Sequence, residues 1–182
     1  MAPAFFMPAA PTNPSLIIKT RLAVEYQGKL PSRDWVEERA QLCREITLPS
    51  IQNQTAKGLV WVLMVDPEWK ELCMDLFGEP DLKNGKTVLL SGNPDGRIDE
   101  DALARIHPDA ESYLTLRLDS DDALTPTALE DVERCFMEAG GGDKVLINLA
   151  RGWVWDREKK QLWERQFPDA YQGPFCALSH VG

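Results

Sequence analysis

The sequence has few residues for histidine or cysteine chemistry: only two histidines, His107 and His180, and four scattered cysteines with no CxxC pair. That shortage argues against a zinc site and gives no sign of a disulfide framework. Cys43 and Cys135 fall on the apolar sides of helical patterns, where a free thiol acts as a small hydrophobe. A reduced, cytoplasmic protein is expected. Positive charge is also short, with 20 Lys and Arg against 29 Asp and Glu and a net charge of −9. Nucleic acid and anionic membrane surfaces both need clustered cations, so neither is expected as a partner. No run reaches the ~18 apolar residues of a membrane span, and no internal period repeats. Residues 1–15 contain four prolines and no Lys or Arg, which is not the basic start and unbroken apolar run of a signal peptide. That stretch reads as a disordered or draped tail, and residues 16–182 as a single domain.

With histidine and cysteine scarce, any chemistry falls to carboxylates, and the pattern of apolar runs shows where they sit. Leu59 to Val65 is apolar throughout, as in a strand covered on both faces of a parallel sheet. Shorter strands are predicted from Leu16 to Val24, Lys86 to Leu90, Tyr113 to Leu118 and Val145 to Trp155. Gln161 to Phe167 would return as a hairpin partner, and a last short strand is expected over Pro174 to Leu178. Val36, Ala40, Cys43 and Ile46 repeat at helical spacing until Pro49 interrupts. Trp69 to Phe77 and Asp99 to Ile106 form further helical patterns. Another helix is expected to be capped by Thr125, with Pro126 at its first position and Gly140-Gly141-Gly142 at its end. Strands alternating with helices predict an α/β fold: an open, mostly parallel, Rossmann-like sheet flanked by helices, with a C-terminal β-hairpin.

Asp119-Ser120-Asp121-Asp122 is the most informative run, because it follows the strand ending at Leu118. Ligands of open α/β sheets bind just outside the carboxyl ends of the strands. Three carboxylates in four residues repel one another unless a cation joins them, and oxygen-only ligands favour Mg²⁺ or Mn²⁺. The bland alternative is an acidic turn favoured by the dipole of the next helix. An EF-hand fails, because Leu124 stands where the loop needs Gly. A haloacid-dehalogenase-type phosphatase remains a minor alternative, since no acidic pair follows at a later strand end. The stretch from Ser91 to Asp99 mimics a Ca²⁺ loop but lacks its end ligands, with Ser91 and Ala102 in their places. Trp153 and Trp155 alternate on one strand and share a face; core packing is the expected use, and stacking on a sugar the second.

Five segments occur in a telling order: Lys19-Thr20-Arg21; Leu48 to Thr55 (LPSIQNQT); Trp61 to Pro67 (WVLMVDP); Leu116 to Leu124 (LRLDSDDAL); and Ile147-Asn148 with Gly152. In them the chain resembles the putative rhamnosyltransferase family of bacterial and phage GT-A glycosyltransferases, over roughly residues 16 to 178. The resemblance implies a glycosyltransferase that moves a sugar, rhamnose included, from a nucleoside-diphosphate donor to a hydroxyl acceptor such as a glycan. It implies that Asp66 contacts the nucleoside and that Thr20 and Arg21 line the same pocket; Arg117, two residues before Asp119, shares its side of the strand and is expected among the nucleotide-sugar-binding residues. Asp119 would face the ribose or sugar, and Asp121, joined by Asp119 and Asp122, would hold Mn²⁺ or Mg²⁺. No residue is assigned as catalytic base. The acceptor region reads as short or missing at Gly182. That leaves a truncated, non-catalytic GT-A-like binding module as the alternative, with a homo-oligomer or a partner chain covering the open edge.

Overall fold

The structure, a computed structural model, describes residues 14–25, 27–78, 80–91, 102, 105–166 and 176–181. Strand β1 (Ser15–Ala23) pairs in parallel with β2 (Leu59–Val65) on one side and with β4 (Ser112–Arg117) on the other, and β3 (Gly85–Ser91) runs parallel to β2. β8 (Cys176–Val181) is antiparallel to β4, and β5 (Leu146–Asn148) is antiparallel to β8. Among the described residues the sheet has six strands in the order β3-β2-β1-β4-β8-β5. This is a mixed α/β fold with a mostly parallel sheet. β6 (Arg151–Asp156) and β7 (Gln161–Gln166) form a separate antiparallel hairpin.

β2 is buried at every position because its two faces serve two cores. Leu59, Trp61, Leu63 and Val65 join Leu16, Ile18 and Leu22 in the larger core, which also takes Val36, Cys73, Leu129 and Phe136 from three helices. Those helices are α1 (Arg33–Leu42), α3 (Lys70–Phe77) and α4 (Ala128–Glu138). Val60, Val62 and Met64 join Ile17, Ile106 and Tyr113 on the opposite face. This is the period-2 alternation of a pleated strand with both sides covered. Cys43 and Cys73 are buried free thiols, and burial pushes their pKa values up to about 12 and about 11, so both stay protonated and inert.

Several expectations are corrected. The first helix does not stop before Pro49: α1 passes into a π-helical turn at Cys43–Thr47 and then α2 (Leu48–Gln52). Pro49 lies in the first turn of α2, where its missing N–H costs little. α4 begins at Ala128 rather than beside Thr125, because the Thr125 and Pro126 carbonyls accept hydrogen bonds from Gln54 and Thr55. The strand predicted from Val145 to Trp155 is two strands: β5 stays in the main sheet, and β6 leaves it to pair with β7. The Ca²⁺-loop mimic beyond Ser91 and most of the Asp99–Ile106 helix lie outside the described residues, as does the tail through residue 13.

Candidate functional site

In the parallel part of the sheet the chain winds outward from β1 to β2 and β3 and then crosses back to place β4 on the other side of β1. A strand-order reversal of this kind opens a crevice at the carboxyl ends of the two strands that flank it. Here those strands are β1 and β4. A cleft of about 580 Å³ lies there, walled by the end of β1 (Arg21, Leu22), the loop before α1 (with Lys29), the outer face of α1 (Trp35, Arg39) and the turn after β4 (Asp119, Asp121). Arg21 turns its side chain toward the cleft, whereas Leu22 borders it while its own side chain is buried in the larger core beside Ile18. Just there β1 shifts register on β2: Arg21 pairs with Met64 and Ala23 with Val65, leaving Leu22 between them without a partner.

The arginines and aspartates of the cleft are paired with one another. Arg117 grips Asp119 through Nε and Nη2 at 3.2 and 2.8 Å, and Arg21 approaches the same carboxylate at 3.9 Å. Arg39 binds Asp121 at 2.5 Å and also lies over the Trp35 ring, 5.1 Å from its centroid. One turn of helix separates Trp35 from Arg39, so both stand on one face of α1, away from the buried Val36 and Ala40. Behind the cleft, the Thr47 hydroxyl in the π turn donates to the Asp122 carbonyl at 2.9 Å, tying the acidic turn to the end of α1. Burial pushes the Asp122 pKa up to about 6, and the carboxylates of Asp121 and Asp119 add to the rise.

Of the residues expected at the site, Arg21, Asp119 and Asp121 line the cleft together. Arg117 meets it only through Asp119. Thr20 does not line it: its hydroxyl is wholly buried and accepts from the Trp61 indole at 2.9 Å, because residue 20 faces the helix-covered core. Asp66 is also outside the lining, and its carboxylate accepts from the Glu68 N–H as the cap of a short turn of 3₁₀ helix (Pro67–Trp69). Asp122 is not in the lining either, and among the described residues no group of three or more His, Cys, Asp or Glu side chains is placed to hold a metal. The sequence reasoning missed Lys29, Trp35 and Arg39. A tryptophan on the polar side of an amphipathic helix, four residues from an arginine, was the available signal.

The comparisons with known proteins bear on this geometry. Residues 18–180 match the model of a family described as "Putative rhamnosyl transferase". The chain belongs to this family. No curated protein matches it. Among solved structures it is similar to Rv0371c from Mycobacterium tuberculosis H37Rv, at 16% identity and a TM-score of 0.37, over 75% of this chain and 65% of that one. The chain thus spans less than two thirds of Rv0371c. It is also similar to a CMP:2-keto-3-deoxy-manno-octonic acid synthetase complexed with CTP, at 13% identity and a TM-score of 0.35, over 92% of this chain and 74% of that one. No helix among the described residues of this rhamnosyl transferase family member is long and apolar enough to cross a membrane.

Proposed function

We propose that the cleft between β1 and β4 binds a nucleoside-diphosphate sugar and that the protein transfers the sugar to a hydroxyl acceptor. The observation carrying this reading is the meeting of Arg21, Lys29, Arg39 and the Trp35 ring with Asp119 and Asp121 at the strand-order reversal of a rhamnosyl transferase family member. The diphosphate of a sugar nucleotide carries the same two negative charges as the two aspartates and gathers them on four neighbouring oxygens that a guanidinium can grip. Arg21 and Arg39 can therefore exchange their carboxylate partners for phosphate oxygens, with the bidentate geometry guanidinium favours. Trp35 gives a nucleobase a flat face to stack on, worth about 1–3 kcal/mol in comparable stacks.

The exchange frees Asp121 from Arg39 and releases Asp119 from Arg21, while Arg117 keeps its hold on Asp119. Two carboxylates completed by phosphate oxygens and water suit Mg²⁺ or Mn²⁺, so the donor chemistry of the cleft fits such an ion. When bound, the ion neutralises charge that develops on the departing diphosphate. The chain's own groups hold the diphosphate in place, and Asp119, held by Arg117 at the cleft wall, stands where a ribose or sugar hydroxyl would donate to it.

Calorimetry with UDP, dTDP and GDP, each with and without Mn²⁺, tests the reading. At least one nucleotide is expected to bind more tightly with Mn²⁺. Asp121→Asn should abolish the Mn²⁺-dependent part, and Trp35→Ala should weaken binding under both conditions by about tenfold. Failure of all three nucleotides to bind in the presence of Mn²⁺ would overturn it. Binding without transfer to any acceptor would instead leave a non-catalytic GT-A-like module.

A further inference from the structure

The tryptophans expected in the core stand in the open. On the β6–β7 hairpin Trp153 is 64% exposed, Trp155 53%, Leu162 57% and Trp163 43%. Pairing sets Trp153 opposite Glu164, Trp155 opposite Leu162 and Arg151 opposite Gln166. Because alternate residues share a face, one side of the hairpin is an apolar strip of two indoles and a leucine flanked by Arg151, Glu164 and Gln166. Trp163 belongs to the other side, with Val154.

The register also shows where the hairpin leaves the sheet. Asn148, the last residue of β5, pairs with Cys176, the first of β8, so residues 149–175 are an excursion between two adjacent antiparallel strands. Ala177 lies opposite Leu116 near the end of β4. The excursion therefore starts and ends at the sheet edge that carries Asp119 and Asp121.

We infer that this face of the hairpin binds a neutral oligosaccharide, the acceptor of the transfer proposed above, on whose donor reading the acceptor role rests. The strip offers on the order of 300 Å² of apolar surface, from two partly exposed indoles and a leucine. A stable protein–protein interface takes about 800 Å² from each partner, a little over half of it non-polar, which the strip alone does not reach, so a second copy of the chain is the poorer match. A pyranose ring is matched in kind: its apolar C–H face covers an indole while its rim of hydroxyls reaches for hydrogen bonds. Glu164 and Gln166 supply acceptors, and Arg151 and Gln166 supply donors. The charges of Arg151 and Glu164 cancel, which suits a ligand without charge. The hairpin's origin at the donor edge is what a surface presenting a hydroxyl to the donor requires.

The test is calorimetry and tryptophan fluorescence on the full chain with three probes: cellohexaose, maltohexaose and a rhamnose trisaccharide. At least one is expected to bind, with affinity reduced at least about tenfold in Trp153→Ala/Trp155→Ala and largely retained in Trp153→Phe/Trp155→Phe. Trp163→Ala, on the opposite face, should bind as the parent does. The inference is overturned if the parent binds none of the three, if Trp163→Ala loses as much as the double variant, or if sedimentation shows a dimer that the double variant dissociates. Nucleotide binding by the parent separates the two readings. In the parent, nucleotide binding beside absent glycan binding removes the hairpin inference alone, and glycan binding beside absent nucleotide binding removes the donor cleft and the acceptor role.

Discussion

Thr20 and Arg21 are neighbours in sequence with unlike surroundings. Arg21 reaches the cleft, while Thr20 accepts the hydrogen bond of a fully buried tryptophan indole. Thr20→Val keeps the shape but leaves the Trp61 N–H without that partner, at a cost of about 1–3 kcal/mol. The urea midpoint should fall while nucleotide affinity stays as in the parent; a loss of affinity at unchanged stability would return Thr20 to the site. Asp122 makes a different prediction. Its pKa is about 6 in the folded chain against an ordinary value of 3.8, so the unfolded chain gives up the proton first as pH rises. The group's cost to stability is therefore absent below about pH 4, grows between pH 4 and 6, and is complete above pH 6. With a chelator present, Asp122→Asn should melt higher than the parent at pH 7, and the difference should vanish near pH 3.5. A difference independent of pH would mean that burial and the neighbouring carboxylates do not govern this group.

Elements differ in how much of their making is local. β2 was legible because a run of only seven apolar residues, three of them Val, bounded by Gly58 and by Asp66-Pro67, fits a strand covered on both faces better than a helix. The acidic turn was legible because it follows an apolar strand directly. The start of α4 was not, because its cap comes from a distant segment: the Gln54 side chain accepts from the Leu129 N–H and donates to the Thr125 carbonyl, across more than seventy residues of chain. The hairpin was half legible. Its pairing followed from the polar turn at Asp156 to Lys160, but alternation of Trp153 and Trp155 could not say whether the shared face meets a core or solvent. β3 starts where the sheet tolerates no side chain. A Cβ on Gly85 would fall 1.9 Å from the Leu59 carbonyl oxygen and 2.8 Å from its carbon, both backbone atoms that cannot turn aside. Gly85→Ala should thus destabilise by at least about 1–3 kcal/mol, read as a lower urea midpoint. An unchanged midpoint would show that β3 can shift along β2 without loss.

At the scale of the whole molecule, β5 and β8 already pair where the excursion between them begins and ends, so it can be cut after Leu149, which packs on the larger core. Replacing it with a short glycine-rich turn joins two strands already adjacent and antiparallel, which adds little closure entropy. The shortened chain should fold, keep its nucleotide affinity and lose all oligosaccharide binding; failure to fold would show that the sheet leans on the excursion. The same strand order has a consequence in time. β8 lies between β4 and β5, so until it is made β4 has a bare edge and β5, among the described residues, has no strand to pair with. Synthesis at about 5–20 residues per second puts roughly one to five seconds between the end of β5 and the start of β8. For that interval the nascent chain carries a hydrophobic strand edge without the strand that covers it in the folded protein, an edge open to pairing with another chain.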